Sequence, residues 1–177
     1  ADGRPSELTY RRYRRFAAGG AGLLWMEATA VTPEGRANPR QLQMNEANLP
    51  VFRSWLKDID AAAPQKPYKV LQLTHSGRYA RPDGTPRPQI AVDNPWLDKA
   101  GQDRVIMSDE QLAALVPLYR RAAELAYDAG FDAVDIKACH RYLISELLSA
   151  HTRPGPYGGS LENRARLLLD IIHAVRA

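Results

Sequence analysis

Short apolar runs alternate with amphipathic helical segments along this sequence, and this order constrains the fold more than any other feature. The runs at residues 23–27, 68–73 and 133–137 show little polar alternation, which is typical of parallel strands covered on both faces. Strands joined through helices pair in parallel by right-handed crossovers. The sequence therefore predicts an α/β fold with one parallel sheet.

Helices are predicted between and after these strands. The first ends at Gly19-Gly20, where glycine favours a helix C-terminus. Ser108 and Gln111 form a capping-box pattern that opens a longer helix, and Pro117 is expected to kink or split it. The predicted helices span residues 7–18, 52–63, 108–129 and 142–148, and a last one follows Ser160.

A long polar segment, residues 75–103, separates the second predicted strand from the next helix. So long a loop in a compact domain usually covers a functional site. Polar side chains also gather where each predicted strand ends, and the carboxyl ends of parallel strands meet at one edge of a sheet. We therefore expect the chemistry at that edge.

Charge and cysteine content narrow the functional classes. The net charge is +4, and the densest basic run is Arg11, Arg12, Arg14 and Arg15 in the first predicted helix. A solvated helix face is the favoured interpretation and nucleic-acid binding the alternative. The single cysteine, Cys139, excludes an internal disulfide framework and fits a reducing cytoplasm. No apolar run approaches the roughly 20 residues of a membrane span, so no membrane association is expected.

Four polar residues are candidates for binding and catalysis. His140 and Tyr142 follow the third predicted strand, where an imidazole can polarise a carbonyl and a phenol can deliver a proton. Lys137 ends that strand, and its ammonium needs water, an anion or a ligand. Gln72 offers a donor and an acceptor in one plane, which matches a ring imide. Each also has a structural interpretation: a satisfied polar group, a snorkelling lysine or a sheet-edge contact.

Other site classes have weaker support. His75, His140 and His151 form no compact set of metal ligands, so no metal is expected. The glycines before Ser160 precede a helix N-terminus, where a capped turn is favoured over an anion site. No GxGxxG or P-loop pattern occurs, which counts against a Rossmann domain or an NTPase.

Read in order, several segments resemble the Old Yellow Enzyme family of FMN-dependent NAD(P)H oxidoreductases, which includes 2,4-dienoyl-CoA reductases and trimethylamine dehydrogenase. The last of these segments is fairly specific by itself, and the set covers nearly the whole chain. The matching segments are GAGLLWME at residues 20–27, QLTHSGR at 72–78, AGFD at 129–132, HRYL at 140–143 and YGGSLENR at 157–164.

The resemblance implies a partial (β/α)8 TIM barrel, approximately strands two to four with their helices, with residues 1–177 as a single segment. It implies FMN as cofactor, NADH or NADPH as reductant, and an activated C=C bond or an amine as substrate. By the same resemblance, Ala28 lies beside the flavin and Gln72 contacts its pyrimidine ring. His140 matches the second residue of the family's substrate-binding pair, and Tyr142 matches its proton donor.

Two residues depart from the family pattern. Lys137 stands where the first member of the substrate-binding pair is expected, and Arg141 replaces the usual glycine before Tyr142. A lysine binds an oxygen as a point charge and favours an anionic substrate or intermediate more than imidazole does.

The length bears on what such a segment can do. A complete barrel takes roughly 250 residues, with its phosphate site after strands seven and eight, so 177 residues cannot close one. The N-terminus, which has no apolar signal core, reads as if cut from a longer protein. We expect a parent enzyme whose segment is inactive alone and associates with the rest of the barrel or another copy. A non-catalytic α/β fragment and a nucleic-acid-binding module are the alternatives.

Overall fold

The computed structural model describes residues 2–98, 101 and 103–176. Both ends of the predicted segment, and residues 99, 100 and 102 of the predicted loop, lie outside the described residues. The helices are α1 (Glu7–Ala18), α2 (Leu49–Ala62), α3 (Asp109–Ala113), α4 (Leu115–Ala129), α5 (Leu143–Leu148) and α6 (Leu161–Arg176). The strands are β1 (Leu23–Ala30), β2 (Tyr68–Thr74), β3 (Gln89–Ile90), β4 (Val105–Ile106) and β5 (Ala133–Ile136).

The main sheet contains the three predicted strands. Its order is β1-β2-β5, and both pairs are parallel, so the predicted α/β class with a parallel sheet is confirmed. In this order β1 and β5 are the outer strands. The short pair β3 and β4 forms a second parallel sheet within and just after the segment predicted as a loop. A strand of two residues is too short to show a hydrophobic pattern in the sequence.

Local capping explains the helix boundaries. The Ser6 side chain accepts a hydrogen bond from the Thr9 amide at the start of α1, and the predicted capping box of Ser108 and Gln111 is present at the start of α3. The helix predicted over residues 108–129 is split, but at Ala114 rather than at Pro117. Pro117 lies in the first turn of α4, where the amide it lacks would have no intrahelical partner.

The prediction that the strands are covered on both faces is wrong for β1. Leu23 is 52% exposed and Trp25 is 55% exposed, and Tyr68 beside them on β2 is 51% exposed. These side chains share the sheet face that points away from the helices, whereas Leu24 and Leu71 on the other face are buried in the core. Three strands leave their inner face uncovered because no opposite strands pack on it.

The predicted loop is tied to α5 by buried charged groups. Nε of Arg78 donates to Glu146 Oε2 at 2.8 Å, and Arg78 also pairs with Asp98. The other carboxylate oxygen of Glu146 accepts the amides of Ala91 and Val92 at 2.6 and 3.2 Å. These bonds hold residues 78–98 against the helix that begins directly after Tyr142.

Candidate active site

The residues that follow β5 lie against the carboxyl end of β2. The Lys137 amide donates to the Leu73 carbonyl at 3.0 Å, and the Leu143 amide donates to the His75 carbonyl at 3.2 Å. Gln72 pairs in register with Asp135, two residues before Lys137. The structure therefore brings Gln72, Lys137, His140 and Tyr142 to the same end of the sheet, as parallel strands require.

Lys137 and Tyr142 contact each other directly. The ammonium Nζ of Lys137 lies 4.1 Å from the centroid of the Tyr142 ring, a cation–π geometry. Lys137 is only 7% exposed, and its burial lowers the pKa of the ammonium, an effect that Cys139 and Asp135 oppose. Burial also raises the pKa of the Tyr142 phenol, so the phenol stays protonated at neutral pH. The Lys137 ammonium and a phenol that can donate a proton thus lie in contact just after β5.

Tyr79 is a neighbour that the sequence analysis did not single out. Its ring lies 6.0 Å from the Tyr142 ring, with the two planes inclined by 40°. Tyr79 ends the short 3-10 helix after β2, directly after the QLTHSGR segment. Its position after a strand end was the one signal that could have identified it. It packs beside the proposed proton donor and restricts where that ring can lie.

His140 and Arg141 form an unusual turn between β5 and α5. Both have left-handed backbones, with φ of 61° and 55°, and neither is glycine. Both side chains are exposed, and His140 Nδ1 lies 3.6 Å from Cys139 Sγ. A left-handed backbone costs an ordinary residue about 1–2 kcal/mol, and such strain is typical of functional sites.

Replacing Arg141 with glycine should stabilise the protein. Glycine adopts a positive φ without strain, although its freer unfolded chain offsets part of the gain, so we expect about 1 kcal/mol more free energy of unfolding. Urea denaturation followed by circular dichroism measures this change. As a control, Arg120→Gly, at an exposed position inside α4, should lose about 1 kcal/mol. Equal losses in both variants would contradict the strain at residue 141.

Gln72, Ala28 and Thr74 lie towards the carboxyl ends of β1 and β2, where Gln72 and Ala28 are half-buried and Thr74 is fully buried. Gln72 Nε2 donates to Asp135 Oδ2 at 2.6 Å, which leaves its carbonyl oxygen available as an acceptor. The Thr74 hydroxyl is buried and has no hydrogen-bond partner among the described residues. Ala28 lies in a register shift of β1 between Met26 and Thr29, and its carbonyl accepts from Gln41 Nε2 at 2.9 Å. A small side chain and an amide with an available acceptor suit the polar edge of a flavin ring.

His75 is a buried core residue. It is 1% exposed, and its Nδ1 accepts the Gly77 amide at 3.1 Å. A Cβ on Gly35 would lie 2.6 Å from its ring, so glycine is needed there for space. His140 and His151 are exposed, and within the described part of the chain no group of three or more His, Cys, Asp or Glu could hold a metal ion.

Burial should make His75 a source of acid sensitivity. Burial lowers its pKa from 6.5 to about 4, so between these values the unfolded chain binds the proton and the folded chain does not. Stability should fall as the pH drops through this window, by about 2 kcal/mol between pH 7 and pH 5. Urea midpoints at both pH values test this for His75→Gln, which should flatten the dependence. The exposed His173, replaced by Gln, should leave it unchanged.

Sequence comparisons give consistent results for the whole chain. A family model described as the NADH:flavin oxidoreductase / NADH oxidase family matches residues 2–177. The chain is 35% identical to an NADPH dehydrogenase of Bacillus licheniformis, over 99% of this chain and 51% of that protein. It is 37% identical to an NADPH dehydrogenase of Halalkalibacterium halodurans, over 99% of this chain and 51% of that protein. The chain thus spans about half the length of the curated relatives it matches.

Solved structures have the same fold over about half of their chain or less. The Old Yellow Enzyme homologue of Zymomonas mobilis superposes with a TM-score of 0.81 and 30% identity, over 98% of this chain and 51% of its own. Morphinone reductase superposes with a TM-score of 0.79 and 28% identity, over 98% of this chain and 50% of its own. A 2-naphthoyl-CoA reductase complex superposes with a TM-score of 0.86 and 24% identity, over 98% of this chain and 28% of its own. At this identity the likeness shows only that the fold is shared. The predicted partial barrel is confirmed. Among the described residues, no helix has the length and apolar character to cross a membrane.

Proposed function

Because the chain belongs to the NADH:flavin oxidoreductase / NADH oxidase family, we propose that it supplies the substrate side of an FMN-dependent oxidoreductase that uses NADPH or NADH to reduce an activated C=C bond. Family membership implies FMN and a nicotinamide nucleotide as cofactors. The observation that carries the proposal is the contact between the buried Lys137 and the half-buried Tyr142, near His140 after the end of β5.

The flavin would lie at the carboxyl end of the sheet. Gln72 would accept and donate hydrogen bonds at its pyrimidine ring, and Ala28 would leave room for the ring. When bound, FMN supplies the hydride that the substrate receives. Water must be kept from this end, and the remainder of the barrel is the partner that would cover it.

The substrate carbonyl would be polarised by His140 and Lys137. A hydrogen bond or an ammonium charge on the oxygen draws electron density away from the double bond and stabilises the enolate that forms after hydride addition. The contact of Lys137 with the Tyr142 ring would keep its charge beside the phenol that is proposed to deliver the proton. Its compact charge suits an oxygen that becomes negative.

Tyr142 would then protonate the substrate carbon. Its raised pKa keeps the proton on the phenol until a strongly basic carbanion is present. This step favours C=C reduction over amine oxidation, because oxidation of an amine needs no proton donor at the carbon. Amine oxidation remains the second candidate within the family, and a non-catalytic fragment is the alternative outside it.

Flavin absorbance and turnover test this function. The full-length protein should be isolated yellow, and under anaerobic conditions it should oxidise NADPH or NADH when cyclohexenone is added. Saturated ketone should be recovered in equal amount to the nucleotide consumed. A colourless protein that takes up no FMN would contradict the proposal, and turnover of amines but not enones would favour the second candidate.

The single exposed cysteine is consistent with a reducing cytoplasm as the place of action.

A further inference from the structure

A cavity of about 760 Å³ shares one residue, Arg141, with the turn that carries His140 and leads to Tyr142. Its walls are the segment 92–97, the start of α5 and the residues 149–152 that follow that helix. Arg141 is part of its lining and directly precedes Tyr142. A molecule whose reacting bond lies at Tyr142 could therefore extend into this space.

Arg141 gives the cavity a charge without a partner. The other charged groups of the wall are engaged: Arg78 with Glu146 and Asp98, and Asp93 with Arg104. Arg141 makes no ion pair with any residue that the structure describes, and its side chain is exposed. Its backbone is held at a φ of 55°, which glycine would adopt freely. A guanidinium kept at a strained position with no protein partner is suited to a ligand.

The rest of the lining suits the tail of a substrate. The indole of Trp96 is 92% exposed, so it offers an apolar plane at the cavity wall. Ser145 and Thr152 add hydroxyl groups to the lining. An arginine with nearby hydroxyls favours the oxygens of a carboxylate or a phosphate, and an indole plane favours the carbon chain that carries them.

We propose that this cavity, the Arg141 cavity, binds an anionic group, a carboxylate or a phosphate, of a substrate whose activated double bond lies at Tyr142. The proposal rests on the proposed C=C reduction and specifies its substrate class. Arg141 acts in binding and not in the chemical step. It sets specificity by lowering KM for substrates with an anionic tail.

Matched substrates test this in the full-length, flavin-loaded enzyme. Three cyclohexenones would carry the same short alkyl chain, ending in a methyl ester, a carboxylate or a phosphate. We expect kcat/KM to be about tenfold higher for an anionic tail than for the ester, mainly through KM. Arg141→Gln and Arg141→Gly should both lose this preference, so that kcat/KM for an anionic tail falls to the value that the same variant has for the ester. Arg14→Gln, which removes an exposed charge on α1, should keep it. Preference for one anion over the other identifies the group.

Binding without turnover gives a second measurement. The saturated cyclohexanone phosphate should quench the fluorescence of the exposed Trp96, and Trp96→Phe should remove that signal. Wild-type reduction of the ester with no preference for either anion would overturn the inference and leave the proposed function intact, as would an undiminished preference in both Arg141 variants. If none of the three is reduced, the proposed function fails. The quenching titration then decides: saturation abolished by Arg141→Gln supports the anion site, and no saturation in wild type overturns it.

Discussion

Tyr142→Phe should slow reduction of an enone by about a hundredfold or more while the half-reaction with NADPH keeps its rate, because only the first needs a proton at carbon. The phenol fits this role by position and by its raised pKa, since it lies under the Lys137 ammonium and is partly buried. The substitution removes one hydroxyl and keeps the ring, so the stacking on Lys137 and Tyr79 should survive.

Stopped-flow measurement of the two half-reactions separates the possible roles of Tyr142. Tyr79→Phe is the matched control, because it removes a hydroxyl from the neighbouring ring without touching the proposed proton donor. It should leave both rates close to those of the wild type. Equal losses in both half-reactions of Tyr142→Phe would assign this residue to structure or flavin binding instead.

A chain of these 177 residues alone should self-associate and bind FMN weakly or not at all. Its two outer strands, β1 and β5, have unpaired edges, and the uncovered sheet face presents Leu23, Trp25 and Tyr68. Two of these three exposed residues are aromatic, and Val70 on the same face is only 6% exposed. Aromatic residues on an open face favour burial against another copy.

Variants on that face should separate association from general stickiness. Trp25→Lys should weaken self-association by about thirtyfold, the effect of losing a central aromatic contact of about 2 kcal/mol. Trp96→Lys changes an indole of greater exposure that lies away from the sheet, and it should leave association unchanged. Light scattering at several protein concentrations measures both.

FMN titration of the same isolated chain, followed by flavin fluorescence, tests the second half of this expectation. Gln72 and Ala28 can meet the ring, but barrels of this kind bind the phosphate after strands seven and eight, and the tail would have no anchor. A monodisperse monomer that holds stoichiometric FMN would contradict the interpretation of the chain as a partial barrel.

Local sequence features predicted most of the secondary structure. Helix α1 and the start of β1 follow from the amphipathic spacing, the glycine end and the apolar run, all of which act within a few residues. The exposure of Trp25 could not be predicted in this way. An apolar run indicates that a strand is meant to be covered, but whether the covering strands are present depends on residues elsewhere in space.

The site was predictable in its position but not in its contacts. Parallel strands alone place Gln72 and Tyr142 at one edge. Lys137 and Tyr142 meet across a turn in which His140 and Arg141 both have a positive φ, and an arginine gives no sequence signal of that conformation. Tyr79 was missed because its partner ring lies far along the chain and meets it only in the folded protein.

The carboxylate of Glu146 bonds to the backbone of the segment 78–98, as a neighbouring strand would do. It accepts the main-chain amides of Ala91 and Val92, so this part of the segment is fixed through its backbone, while the Arg78 side chain fixes the start of the segment. Glu146 lies one helical turn after Tyr142 on the same helix. During evolution, substitutions or insertions near residues 91 and 92 would therefore change the lining of the cavity and the choice of substrate. The position of this segment relative to Tyr142 would stay constant.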